Sequence, residues 1–271
     1  MSISKLQGFY GFTRMPFGRG LAPGMLHRHA THGEAAARIT WAVTEKTLGV
    51  VTGEVGVGKT VAARAALAGL DPARHITIYV GNPAVGTRGI CHAIVTALGQ
   101  APRFHTAMLI PQASGALATE HAERGRTPVL IIDEAHLLDA AQLEGIRMLT
   151  NHDMDSASPF AALLIGQPTL RRRLKLGQLA ALDQRIAIRY AMPGMTSAET
   201  AGYITHHLKL AGRADPLFSD DATTLIHDAA RGLPRAVNNL AVQALIAAYA
   251  DRKAIVDEAS TRIAITEVTS D

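Results

Sequence analysis

Apolar residues along the chain fall into two kinds of pattern. Short apolar runs of strand length stand at 48–51, 129–132 and 160–165, and largely apolar ones, interrupted by Thr77 and Arg189, at 76–80 and 186–190. Between them lie longer stretches with an apolar position every third or fourth residue, at 31–45, 61–70, 87–98, 112–123 and 139–149, which predict helices. Thr31 with Glu34 three residues on reads as the start of the first of these, and Gly99 as the stop of the third. Wholly apolar strands alternating with helices predict a parallel sheet covered on both faces, an α/β architecture. Residues 102–111 break the rhythm and read as irregular.

The rhythm changes after Pro193-Gly194. Strands nearly stop, and helical patterns at 198–211, 220–231 and 234–250 follow one another, the last opening with Pro234 at a permitted first position. Three parts are therefore expected: an arm at 1–30, an α/β domain at 31–193 and a small helical domain at 194–271. The arm is rich in Gly and Pro and carries Phe9, Tyr10, Phe12, Met15, Pro16 and Phe17. Its aromatics can lie over a nucleotide, over a neighbouring subunit, or against their own domain.

The first apolar run ends in Gly53-Glu54-Val55-Gly56-Val57-Gly58-Lys59-Thr60, between a strand and a helix. That is the context a phosphate-binding loop requires. Glycines allow positive φ, so backbone N–H groups turn inward while the following helix aims its positive dipole end at the same point. Lys59 is placed to reach the β- and γ-phosphates of a nucleoside triphosphate, and Thr60 to ligate the accompanying Mg²⁺. The alternative is a glycine-rich turn without a ligand.

The third run, Val129-Leu130-Ile131-Ile132, ends in Asp133-Glu134. A buried strand ending in two carboxylates suits the metal-organising and water-activating acids of phosphoryl chemistry, Asp133 holding Mg²⁺ through water and Glu134 polarising the attacking water. Two solvated acids capping the next helix are the plainer reading. The fourth run ends in Gly166-Gln167-Pro168. Carboxyl ends of parallel strands converge on a ligand, so Gln167 can reach the γ-phosphate or the lytic water, or it is an ordinary turn residue. Arg171, Arg172, Arg173 and Lys175 form a short basic helix that could meet a phosphate backbone or simply face solvent.

Composition narrows the picture modestly. The 271 residues are 48% hydrophobic but only 4% aromatic, and the formal charge of +4 is compatible with nucleic acid without requiring it. The single cysteine, Cys91, excludes a disulfide framework and a cysteine zinc site, makes a reducing cytoplasm the natural compartment, and reads as a buried helix residue. The longest stretch without charge, 104–119, is too short to span a bilayer, and no export signal is visible. His206-His207 with His27, His29 and His32 match no metal-site spacing.

The order of these features resembles an AAA+ ATPase: the glycine loop, Ile131-Ile132-Asp133-Glu134, Gln167, Arg185, then Gly232-Leu233-Pro234-Arg235. Within that superfamily, Tyr10-Gly11-Phe12 with Pro16-Phe17, Gly166-Gln167-Pro168, Asp183-Gln184-Arg185-Ile186, and Pro234-Arg235 with Asn238-Asn239 resemble the ExeA-like group, which includes secretion-associated ATPases and transposition helpers of the TniB/TnsC type. The resemblance implies a P-loop AAA+ fold with a parallel five-stranded sheet and a helical lid. It makes Gln167 the sensor-1 residue, Arg185 the arginine finger offered to the neighbouring subunit, and Arg235 the sensor-2 arginine. Secretion members continue into a membrane segment and a cell-wall-binding portion that this sequence does not show. The favoured expectation is an ATP-dependent ATPase that assembles as a ring or filament on duplex DNA and recruits a transposase, without membrane association. The alternative is a secretion-type or other assembly ATPase without DNA contact. A metabolic kinase would need neither the arginine box nor a lid, and a helicase, suggested by Asp133-Glu134-Ala135-His136, would need a second RecA-like domain.

Overall fold

The computed structural model describes residues 2–18, 20–151 and 158–269. Met1 and Arg19 of the expected arm, and Ser270 and Asp271 of the expected lid, lie outside them. The chain forms two compact units: His32–Glu54 with Lys59–Met192, and Met1–Thr31 with Val55–Gly58 and Pro193–Asp271.

The first unit is built on five strands, β1 (Leu48–Thr52), β2 (His75–Val80), β3 (Thr127–Ile132), β4 (Ala161–Gly166) and β5 (Ile186–Ala191). All pairings are parallel and the order is β2-β3-β4-β1-β5. This is the P-loop α/β arrangement expected from the sequence. The central strands β1 and β4 are buried along their whole length, which is why they read as unbroken apolar runs. The edge strand β2 instead alternates toward its end, with Ile78 and Val80 buried and Tyr79 exposed.

In chain order the helices are α1 (Ile3–Tyr10), α2 (Ala30–Thr44), α3 (Lys59–Ala68), α4 (Gly86–Ala97), α5 (Thr106–Ala122), α6 (Ala140–Leu149), α7 (Pro168–Leu174), α8 (Ala180–Arg185), α9 (Ser197–Leu210), α10 (Asp220–Ala230), α11 (Pro234–Ala250) and α12 (Glu258–Thr269). Ile90, Ile94, Leu109 and Leu117 of α4 and α5 share a core with Leu130, Ile132 and Leu164 of the sheet, and Cys91 is buried among them. Burial pushes the Cys91 thiol up to about 11.

Two local expectations change. α2 begins at Ala30, so Thr31 lies inside the first turn rather than capping it, and the Ala30 N–H is taken by Glu199 Oε1 at 3.0 Å. Trp41 on this helix is exposed. α5 begins at Thr106 and runs through Pro111, where irregular chain was expected. Proline removes one helical hydrogen bond, a cost of about 3 kcal/mol in a helix interior, but Pro111 is exposed while Leu109, Ala113, Ala116 and Leu117 bury one face, and that burial outweighs the loss.

The second unit is helical. Leu6, Tyr10, Phe12 and Phe17 are buried with Ile204 and Leu208 of α9 and with Val237, Leu240 and Leu245 of α11. The N-terminal aromatics therefore pack within their own unit, and Phe17 stacks on His207 at 5.3 Å. Tyr10 donates to the carbonyls of Leu245 at 3.4 Å and Lys253 at 3.3 Å, and burial pushes its hydroxyl up to about 12. A capping box at Thr196 and Glu199 opens α9, and Ser219 caps α10. α12 was not expected from the sequence.

Candidate functional site: a phosphate loop and an acidic pair

Register brings the predicted residues to one edge of the sheet. Thr52 pairs with Gly166 and Ile132 with Leu164, so β1, β4 and β3 end side by side. The Gly53 N–H donates to the Gly166 carbonyl at 3.2 Å, and the Asp133 N–H to the Val80 carbonyl at 2.9 Å. Gly53, Asp133 and Gln167 thus follow three adjacent strand ends, where an α/β sheet collects its ligand.

The loop has the backbone that its glycines allow: φ is +83° at Gly56 and +101° at Gly58. A side chain at Gly56 would put Cβ 2.8 Å from the Cβ of Arg235, whose N–H donates to the Gly56 carbonyl at 3.2 Å. Arg235 and residues 55–58 belong to the same compact unit. Lys59 opens α3 and is buried; its ammonium donates to the Gly53 carbonyl at 2.8 Å and the Glu54 carbonyl at 2.9 Å. Val57 is buried, whereas Glu54 and Val55 are exposed.

Thr60 and Asp133 meet directly, the hydroxyl donating to Asp133 Oδ2 at 2.7 Å. Asp133 is buried and accepts two further bonds, from the Tyr79 hydroxyl at 3.1 Å and from the Glu134 N–H at 2.9 Å. Burial, and then the Asp133 charge, raise the Tyr79 hydroxyl above its ordinary value. Two hard oxygen donors a hydrogen bond apart suit Mg²⁺. Tyr79 was not singled out in the sequence; the clue was an aromatic at an outward position of an edge strand that neighbours the acidic one.

Glu134 is half-exposed and left-handed, φ 51° and ψ 33°. It occupies the N-cap position of the 3-10 turn Ala135–Leu137 but makes no side-chain cap bond there, while α6 is capped by Asp139. Its Oε2 lies 3.3 Å from His136 Nδ1. Gln167 is half-buried at the head of α7, also without a side-chain cap bond.

Arg185 is not at this edge. It precedes β5 at Ile186, the partner of Leu48 at the start of β1, so the length of β1, about 17 Å at ~3.3 Å per residue, separates its level from Gly53. Its guanidinium donates to Thr150 Oγ1 at 2.8 Å beside a cavity of about 680 Å³ lined by Lys46, Thr47, Arg147, Thr150 and Ser158. The basic cluster divides in two. Arg171 and Arg172 are exposed, whereas Arg173 donates to the Leu138 carbonyl and Lys175 pairs with Asp183 at 3.1 Å.

The chain is similar to several known proteins. Residues 43–174 match the family model of the AAA domain. General secretion pathway protein A of Aeromonas hydrophila is 32% identical over 246 residues, covering 89% of this chain and 44% of that protein. The chain therefore spans less than half the length of that relative. Among solved structures, Cdc6p of Pyrobaculum aerophilum superposes with a TM-score of 0.69 at 17% identity, covering 93% of this chain and 70% of that one. The Aeropyrum pernix ORC2 protein in ADPNP and ADP complexes gives 0.67 at 19% identity, with the same coverage. Drosophila ORC bound to DNA gives 0.68 at 17% identity, covering 100% of this chain and 68% of that one. At such identities the likeness is one of fold, and the fold is that of P-loop AAA+ ATPases. No described helix is long and apolar enough to cross a membrane.

Proposed function

We propose that the protein hydrolyses ATP and uses the nucleotide to assemble on duplex DNA as a helper that recruits a transposase. The observation that carries the hydrolytic part is the contact of Thr60 with Asp133 beside the glycine loop, with Glu134 next in sequence. The loop N–H groups and Lys59 hold the phosphates. Thr60 and Asp133 would hold Mg²⁺, directly and through water, and the ion would supply neutralisation of charge on the phosphoryl group. Glu134 accepts a proton from water as its oxygen bonds to the γ-phosphorus, the bond to the β–γ bridging oxygen breaks, and ADP and phosphate leave. Gln167 orients the water or γ-phosphate, and Arg235 senses the nucleotide.

Arg185 lies too far along β1 to serve the site on its own chain. It completes the site of a neighbouring copy, in cytoplasmic rings or filaments that form with ATP. The DNA part is supported by the basic balance, the exposed Arg171 and Arg172, and a fold shared with ORC proteins solved on DNA. A transposase as the partner is supported by the resemblance to transposition helpers. A second reading, an assembly ATPase of secretion without DNA contact, is favoured by the 32% identity to general secretion pathway protein A.

Filter binding of unrelated duplexes across a salt series, with a slowly hydrolysed ATP analogue, separates the two. Assembly multiplies weak phosphate contacts, so retention is expected only with nucleotide, with little sequence preference and a steep salt dependence. Replacing Arg171 and Arg172 by Ala should weaken all duplexes alike and flatten the salt slope. No retention at low salt would leave the secretion reading standing.

A further inference from the structure

We propose that His136 is a positioning residue, orienting the Glu134 carboxylate toward the attacking water; the inference rests on the hydrolytic reading above. Glu134 adopts a backbone conformation that a residue with a Cβ holds only when its surroundings impose it. Here both sides do so. The Asp133 carboxylate takes the Glu134 N–H at 2.9 Å, and the Leu137 N–H donates to the Glu134 carbonyl at 2.9 Å. This tight turn brings the imidazole of the second residue onward back beside the carboxylate, Nδ1 to Oε2 at 3.3 Å.

The two partners differ in freedom. The His136 side chain is 13% exposed and that of Glu134 49%. A carboxylate this open samples several orientations unless something holds it, and the imidazole is the fixed neighbour. His136 Nδ1 is shielded from water and makes no well-aligned hydrogen bond, although Glu134 Oε2 lies within reach. The terminal torsion of a glutamate is soft, so a small rotation aligns the pair. Nδ1–H then donates to Oε2, and Oε1 is left to accept from water. The turn packs closely on the end of β4, where a Cβ on Gly166, the residue before Gln167, would stand 3.1 Å from the backbone nitrogen of His136. The imidazole therefore acts through Glu134, which alone takes the proton.

The test is ATP turnover and ATP-analogue binding by the full chain carrying His136→Ala, His136→Asn or His136→Gln, in the parent and in a Glu134→Gln background. His136→Ala should lower kcat about tenfold to a hundredfold, the scale of a misplaced reacting group, with KM and analogue affinity unchanged. Asparagine places an N–H near the position of Nδ1 and should restore most of the rate, whereas glutamine, which mimics Nε2, should not. On Glu134→Gln, His136→Ala should add no further loss, as expected of residues acting as a unit. Parent-rate turnover by His136→Ala, an additive loss on Glu134→Gln, or lost analogue binding each overturns the inference. If Glu134→Gln is inactive while His136→Ala turns over normally, this inference alone falls. If Glu134→Gln turns over at the parent rate, the hydrolytic reading falls and takes the inference with it.

Discussion

Gly232 lies in the turn between α10 and α11, and replacing it with alanine tests how tightly that turn is specified. Its φ is +65°, and an added Cβ would stand 2.1 Å from the Met195 carbonyl oxygen and 2.8 Å from the Met195 nitrogen. The left-handed conformation alone costs an alanine about 1–2 kcal/mol. The contact is with backbone, so no side-chain rotation relieves it, and the strain of overpacking adds about 1–3 kcal/mol. Moving the two segments apart also stretches the bond from the Met195 N–H to the Gly232 carbonyl, 2.8 Å long, worth about 1 kcal/mol. The sum is about 4 kcal/mol, a large part of the stability of an ordinary domain, which is about 5–15 kcal/mol. Urea unfolding followed by far-ultraviolet circular dichroism should show the helical unit melting about 2 M earlier, for a slope near ~2 kcal/mol per M. Gly8→Ala is the matched control. Gly8 lies exposed in α1 with nothing within 4 Å of the added Cβ, so that variant should be unchanged or slightly more stable. A Gly232→Ala protein that unfolds at the parent urea concentration would refute the reasoning.

Two other outcomes are expected. If Arg185 serves the neighbouring copy, turnover should rise with protein concentration, and mixing Arg185→Ala with Lys59→Ala protein should restore hydrolysis that neither variant shows alone; concentration-independent turnover with inactive mixtures would remove the shared site. His207 is buried, and burial first, then the charges of His206, His27 and Arg14, lower it from 6.5 to about 4. The unfolded chain therefore binds a proton that the native state refuses, so stability is full above pH ~6.5 and declines as pH falls toward ~4, by on the order of 3 kcal/mol. His207→Phe should flatten that decline in urea titrations at stepped pH, and an identical pH dependence in parent and variant would contradict it.

Much of the sheet unit was legible because its inner strands β1, β3 and β4 are buried on both faces and read as apolar runs, with a glycine loop after one and two acids after another. What tertiary contacts decide was less so. Pro111 reads as a break, and only the burial of Leu109 and Leu117 shows why the helix continues through it. α12 escaped notice because its buried positions are small or polar, Ser260, Thr261 and Ala264, leaving no apolar stripe to read. α1 was hidden among glycines and aromatics whose burial against α9 and α11 is non-local. Tyr79 reaches Asp133 from a neighbouring strand, and Arg173 and Lys175 find partners at Leu138 and Asp183, pairings that no local spacing announces. The contact of His136 with Glu134 was within sequence reach, two residues apart, but it depends on a left-handed Glu134 that nothing in its type predicts.

The most direct measurement is phosphate release from ATP by the parent, Lys59→Ala and Glu134→Gln proteins, with nucleotide binding followed in parallel. Lys59→Ala should lose both binding and turnover, since a phosphate contact is gone. Glu134→Gln should bind ATP as the parent does while releasing phosphate at least about a hundredfold more slowly, the scale of a lost general base. Parent-rate phosphate release by Glu134→Gln would contradict the assignment of the acidic pair.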